Sequence, residues 1–304
     1  MKNILWLLFC VIFLPVSSVF AAEFSVPARV SQGHAFPVSV QDDAPFSAVF
    51  HWRGEALKVK AVRKGKGARW KAEILLAMPL DAVKDHVLSI ALPREQHDFV
   101  LQPLKVNWHT SILKVAPKFV QPPPAAMKQI KIDRERSRKA LAVRTEKKWT
   151  LPLFRPVPGG ITSAFGGRRV FNGQPRAPHK GTDMRCAEGT PVKAVSQGVI
   201  LFAEDTYFGG KTVYVDHGQG VVSTYSHLSA FAVKKGDRVR RGQTLGRSGS
   251  TGRVTGPHLH LGFMVQGVAV DAMPLLSVPP DFTGGPSRSI FDQQSKNGKS
   301  RSSR

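Results

Sequence analysis

From about residue 24 to 112, apolar and polar positions alternate with a period of two. "AFPVSVQ" puts Phe36, Val38 and Val40 on one side of the chain, "ALKVKAV" does the same with Leu57, Val59 and Ala61, and "HVLSIAL" with Leu88, Ile90 and Leu92. Successive side chains of a strand point to opposite faces, so each run predicts a half-buried strand. Turn-forming stretches such as "RKGKGAR" and "MPLDAVKD" separate the runs. About seven short strands in this span predict an immunoglobulin-like β-sandwich.

The alternation stops at about residue 113. Three consecutive prolines in "QPPPAAM" cannot continue a strand, and a polar run with helical propensity follows, so residues 113–151 read as a proline-rich, partly helical connector. Between Lys128 and Lys148 it carries nine Lys/Arg against three Asp/Glu, a net of +6. That charge suits a solvated helix face or a contact with an acidic surface. From 152 to 276 the strand pattern returns in a glycine-rich setting. "VKKGDRVRRGQTLG" interleaves Gly236, Gly242 and Gly246 with Val239 and Leu245, as tight hairpins require. In "GPHLHLGF", residues 256–263, alternation turns Leu259 and Leu261 toward a core and leaves His258 and His260 side by side on the other face. Residues 277–304 are polar, basic and poor in apolar side chains, and read as a disordered tail. The expected fold class is all-β, an Ig-like β-sandwich followed by a glycine-rich antiparallel β domain.

The N-terminus changes which partners are accessible. One lysine precedes an apolar stretch from Ile4 to Val16, and Val19-Phe20-Ala21 follows. This is the pattern of a secretory signal peptide over residues 1–21, cleaved near Ala21, and it predicts export, to the periplasm in a Gram-negative cell. The net charge of +23 over 304 residues predicts attraction to an anionic partner. Export removes nucleic acid from consideration and leaves the cell wall or an anionic membrane surface, each bound in a salt-sensitive way. Cys10 leaves with the leader, so Cys186 stands alone and no internal disulfide is expected.

Candidate chemistry sits between 152 and 276. "APHKGTDM" places His179 four residues before Asp183, "STYSHLS" carries His227 at the end of a β-branched run, and the His258/His260 pair follows. A catalytic zinc takes three protein ligands and keeps a position open for water. His179, Asp183 and one member of the pair would supply two neutral imidazoles and one carboxylate, lowering the pKa of bound water toward ~7. Spacing does not say which member. The remaining member and His227 would be placed to move protons near neutral pH. His34, His51, His86, His97 and His109 show no ligand spacing and read as strand or surface histidines. His217, beside a glycine turn in "DHGQG", reads as structural, and Cys186 as a small buried residue. Arg168 and Arg169 either line a groove that meets substrate carboxylates or are solvated.

"HKGTD", "YSHLS" and "GPHLHLGF", in this order, resemble the lysostaphin-type (LytM-like) zinc metallopeptidases of bacterial cell walls. "GGITSAFGGRRVFNG", "GTPVKAVSQGVILFAE" and "GSTGRVTGPHLH" resemble their Gram-negative members. The resemblance covers the region from about 152 to 276. The upstream sandwich is similar, less specifically, to the N-terminal module of some members. The resemblance implies one Zn2+ held by His179, Asp183 and His260, with His227 and His258 as catalytic histidines. It also implies peptidoglycan as substrate, cut at peptide cross-links, which in a Gram-negative-like wall are D-alanyl–diaminopimelate bonds. Members that have lost ligands serve as non-catalytic activators of other wall hydrolases. Here all five positions are filled, which favours the enzyme over such an activator. A biotinyl- or lipoyl-type carrier would need an acceptor lysine at a hairpin tip flanked by Met, Asp or Ala, and no such tip is found. "VDAMPLL" stands where many members have Asp-Pro, beyond the metal motifs.

Overall fold

The structure, a computed structural model, describes residues 22–276. The leader expected over 1–21 and the tail expected over 277–304 lie outside the described residues. The first eight strands are β1 (Glu23–Ser25), β2 (Arg29–Ser31), β3 (Ala35–Asp42), β4 (Ser47–Trp52), β5 (Glu55–Lys60), β6 (Trp70–Ala77), β7 (His86–Ala91) and β8 (Gln96–Leu104). They form a three-stranded sheet, β1-β3-β6, and a five-stranded sheet, β2-β8-β7-β4-β5. The alternating residues Phe36, Val38 and Val40 of β3 meet Ala48, Phe50 and Trp52 of β4 and Leu88 and Ile90 of β7 in one buried core. The two sheets therefore face each other as a sandwich, closed by burial of the apolar set the alternation marks.

Further along come β9 (Thr110–Leu113), the helix α1 (Pro124–Leu141), β10 (Ile161–Ser163), β11 (Arg168–Phe171), β12 (Gln174–Arg176), β13 (Thr182–Arg185), β14 (Pro191–Lys193), β15 (Gly198–Thr206), β16 (Gly210–Asp216), β17 (Val221–Phe231), β18 (Arg238–Val239), β19 (Thr244–Ser248), β20 (His258–Val265) and β21 (Val268–Ala269). Seven of them run side by side in the order β10-β13-β20-β17-β16-β15-β18, each antiparallel to its neighbour. The other face of this sheet rests on a second core that includes Met184, Val213, Val215, Tyr225, Leu259 and Leu261. Leu259 and Leu261 are buried and His258 and His260 half-buried, as the alternation requires.

The two cores share a wall. Ala35, Leu75 and Ala77 point out of the sandwich and belong to the second core, so the three-stranded sheet is apolar on both faces over this stretch. Gln266 Nε2 donates to Leu75 O at 2.9 Å and Gln219 Nε2 to Glu73 O at 3.0 Å across the same seam. The connector does not loop free. β9, which leads into it, pairs in parallel with β11. Helix α1 buries Ile130 and Ala140, half-buries Ala126, Asp133 and Ser137, and leaves its other faces exposed. This is the single stripe of a surface helix. Asp133 Oδ2 accepts from the Tyr207 amide at 2.8 Å, and Ser137 Oγ lies 3.2 Å from the Tyr214 hydroxyl.

Candidate metal centre

Strand register assembles the polar cluster. β13 and β20 pair so that Asp183 lies directly opposite His260, and β17 pairs with β20 so that Ser226 lies opposite His260 on the other side. Directly opposed side chains share a face at ~5 Å between Cβ atoms. His258, two residues from His260, joins that face. His179 arrives from the loop before β13. His227 follows Ser226, and regular alternation would turn it to the buried side of the sheet. It does not go there, because β17 carries an extra residue relative to β16 at this point, where Lys211 pairs with Leu228 and Val213 with Tyr225. His227 adopts φ +66° at that bulge. A bulge re-aims a side chain, and a non-glycine residue with positive φ marks a site where the surroundings over-determine the backbone. The result is four imidazoles around one carboxylate. Ring centroids lie 4.9 Å apart for His179–His260 and for His227–His258, and 5.9 Å for His227–His260.

Three atoms converge. Asp183 Oδ1 is 3.1 Å from His179 Nε2 and 2.7 Å from His260 Nδ1, and those two nitrogens are 3.0 Å apart. The outward nitrogens define the tautomers. His179 Nδ1 donates to Ala164 O at 3.0 Å, His227 Nδ1 to Thr251 O at 2.9 Å, and His258 Nδ1 to Gly256 O at 2.9 Å. A carbonyl only accepts, so in each neutral ring Nε2 carries a lone pair. On His179 that lone pair faces an anionic oxygen at 3.1 Å, an arrangement that calls for a cation between them. Two imidazole nitrogens and one carboxylate oxygen, with an outward N–H anchored to backbone, form a donor set that suits Zn2+. His258 Nε2 stands 3.7 Å from Asp183 Oδ1, outside that close trio.

The electrostatics agree with this geometry. Burial alone would raise the Asp183 carboxyl, but the adjacent His179 and His260 imidazoles hold it well below the usual carboxylate range. Burial lowers His179 and, reinforced by the nearby His260, pushes His227 down to about 3, so both are neutral at physiological pH. Arg169 Nη2 binds Asp183 Oδ2 at 2.9 Å, leaving Oδ1 to face the histidines. Arg169 thus lines the site, whereas Arg168 is exposed. Gly181 is held by space. A Cβ there would fall 2.6 Å from the His260 ring and 2.7 Å from Leu261 O. The cluster opens into a cleft of about 240 Å³ whose walls include Leu113 and Val115 of the connector and Phe171, Phe208 and Arg253.

All five candidate residues come together, and the other histidines do not join them. His217 is fully buried elsewhere and Cys186 is a buried free thiol. The sequence reading missed the bulge at His227 and the connector's place in the cleft wall. It also missed Arg253, whose one visible signal is a lone charge between glycines in "GSTGRVTG".

Residues 177–272 match the profile described as Peptidase family M23. A crystal structure from Pseudomonas aeruginosa assigned to the same family is 30% identical, covers 79% of this chain and 92% of that one, and superposes with a TM-score of 0.60. The chain belongs to peptidase family M23. It is 46% identical over 114 residues to the peptidoglycan DD-endopeptidase ShyA of Vibrio cholerae, covering 37% of this chain and 26% of that protein. It is also 38% identical over 118 residues to the DD-carboxypeptidase/endopeptidase Mpg of Neisseria meningitidis, covering 39% and 27%. The chain thus matches about a quarter of the length of these curated relatives.

Proposed function

We propose that the chain is an exported zinc-dependent endopeptidase that hydrolyses peptide cross-links of bacterial peptidoglycan. The observation that carries this reading is the convergence of His179 Nε2, Asp183 Oδ1 and His260 Nδ1 beside two further histidines whose Nδ1 atoms are anchored to backbone carbonyls. The relatives named as peptidoglycan endopeptidases supply the substrate class. In this reading His179, Asp183 and His260 hold one Zn2+, which when bound acts as a Lewis acid toward the scissile carbonyl and the attacking water. Arg169 fixes the carboxylate so that one oxygen faces the centre. His227 and His258 move the protons. One imidazole accepts a proton as water attacks, and the other steadies the oxyanion or protonates the departing amine. Burial keeps His227 in the proton-accepting form. In this reading a leader over residues 1–21 directs the enzyme to the periplasm, and the net charge, +23 before the leader is removed, draws it to anionic wall or membrane. Screening acts over ~8 Å at physiological salt, so sedimentation with isolated walls weakens steeply as salt rises, and indifference to salt refutes the attachment.

Digestion of isolated, cross-linked wall material by the zinc-loaded protein tests the activity. Dimeric muropeptides should fall and monomers rise, with the effect abolished by a chelator and restored by Zn2+. Binding to walls with no loss of dimers would instead support a non-catalytic activator.

A further inference from the structure

Among the described residues, Arg253 is the one cation of the cleft left without a hydrogen-bond or ion-pair partner. Its guanidinium lies 5.0 Å from the centroid of the Phe171 ring and 4.7 Å from that of Phe208. Its backbone N–H donates to Phe208 O at 2.8 Å. Among the described residues its side chain makes no hydrogen bond and no ion pair. Burial and the like charges of Arg169 and Arg176 depress it to about 10. Those two cations are engaged elsewhere, Arg169 with Asp183 and Arg176 with Val120 O and Gln174 Oε1. A partly buried guanidinium among like charges is unfavourable unless an anion joins it. Two aromatic rings flank the guanidinium, among the described residues no protein acceptor takes its N–H groups, and a planar fork of this kind matches a carboxylate. The same cleft is lined by Asp183, His227, His258 and His260, and Arg253 lies two residues after Thr251, whose carbonyl anchors His227.

We propose that Arg253, set between Phe171 and Phe208, is a carboxylate-binding residue that selects cross-links with a free carboxylate on the carbon bearing the scissile amide nitrogen. This inference rests on the peptidase reading above. A cross-link made through the side-chain amine of a diamino dicarboxylic acid has a carboxylate at that carbon. One made through a lysine side chain has only a methylene there, and a glycine bridge has an amide carbonyl. A cleft of about 240 Å³ that already holds the scissile amide favours a carboxylate attached at that carbon over one several residues away.

The test uses the zinc-loaded full chain and two synthetic cross-linked muropeptide dimers that differ in this single group, carboxylate or carboxamide. Charged hydrogen bonds support a preference of ~10- to 150-fold in kcat/KM for the free carboxylate. In R253Q the ratio should collapse toward one, and R253K, which keeps charge but loses the fork, should fall between. Zinc content and melting temperature show whether each variant is folded. If R253Q fails to fold, the comparison of the two dimers by the unaltered protein still decides. Equal cleavage of both dimers by the unaltered protein overturns the carboxylate subsite and leaves the peptidase reading standing. A ratio in folded R253Q equal to that of the unaltered protein overturns the role of Arg253. Cleavage of neither dimer overturns the peptidase reading and the subsite with it.

Discussion

The ten histidines of the chain divide evenly, five before residue 110 and five after residue 178, and the two halves use them differently. In the sandwich each has its own neighbour or none. The His97 ring sits 4.5 Å from that of Phe24 with Nε2 3.1 Å from Glu95, His86 lies 5.5 Å from the Trp52 ring, His34 joins Asp271 only through a backbone β-bridge, and His51 is exposed. In the second half four of the five converge on Asp183. Both halves are mainly antiparallel β-structure with a dense apolar core, so neither fold class nor composition explains the difference. Register explains it. Pairing β13, β20 and β17 puts Asp183, His260 and Ser226 in one row across three strands, and a bulge adds His227. The sandwich places no two of its histidines opposite one another in its ladders.

The largest expected effect tests whether convergence alone makes the site. His179→Ala or Asp183→Ala should abolish both bound zinc and muropeptide cleavage while leaving the strand signal in circular dichroism intact, because the apolar cores close the sheets without metal. His51→Ala and His97→Ala should change neither quantity. Full zinc occupancy in either of the first two variants would show that the ligands lie elsewhere.

Much of this was legible before any coordinates. The sandwich strands followed from alternation because one face of each strand is buried and the other wet. The five candidate residues stood out in three short motifs, since a metal site needs particular donors whatever the surrounding topology, but their division into ligands and proton carriers rested on the family resemblance and not on spacing. Other features lay outside the reach of pattern. A bulge depends on a count between two strands far apart in sequence, so nothing in "YSHLS" says that His227 crosses to the face of Ser226. The parallel pairing of β9 with β11 likewise joins segments more than fifty residues apart. Arg253 shows in the sequence only as a lone charge between glycines because its aromatic neighbours, Phe171 and Phe208, come from other strands and loops.

The next effect separates the members of the cluster. His227→Ala and His258→Ala should each keep zinc, since His179, Asp183 and His260 remain, and lose ~10²–10⁴-fold in turnover. Metal analysis beside a rate assay reads both. Loss of zinc from His258→Ala together with retention by His260→Ala would reverse the roles of the pair.

A smaller effect probes the support beneath the ligands. Gly181→Ala puts a methyl group 2.6 Å from the His260 ring and 2.7 Å from Leu261 O, so the ring or its strand must shift. Displacing a ligand in this way should weaken zinc ~10–100-fold and cost roughly 1–3 kcal/mol of stability from overpacking. Competition with a chromophoric chelator measures the first. Unchanged affinity would mean that the site tolerates movement of His260.

The fifth histidine of the second half sharpens the comparison by staying out of the cluster. His217 is fully buried. Its Nδ1 donates to Gln197 O at 2.7 Å, and its Nε2 accepts from the Ser223 hydroxyl at 2.7 Å. Ser223 Oγ is in turn 3.0 Å from the Tyr225 hydroxyl, which accepts from the Val195 amide at 2.8 Å. Burial lowers His217 from 6.5 to about 4. The folded state therefore refuses a proton that the unfolded chain accepts between those values. The sign follows: the contribution is complete above pH 6.5, falls as pH drops toward 4, and stops changing once the folded state is protonated as well. At ~1.4 kcal/mol per pH unit this single group removes on the order of 3 kcal/mol across the window. Denaturant titrations at a series of pH values should show that decline in a catalytically impaired His258→Ala background. It should be shallower by that amount when His217→Asn is added, because the amide does not titrate. A parallel pair of curves would assign the acid sensitivity to the histidines of the metal cluster instead.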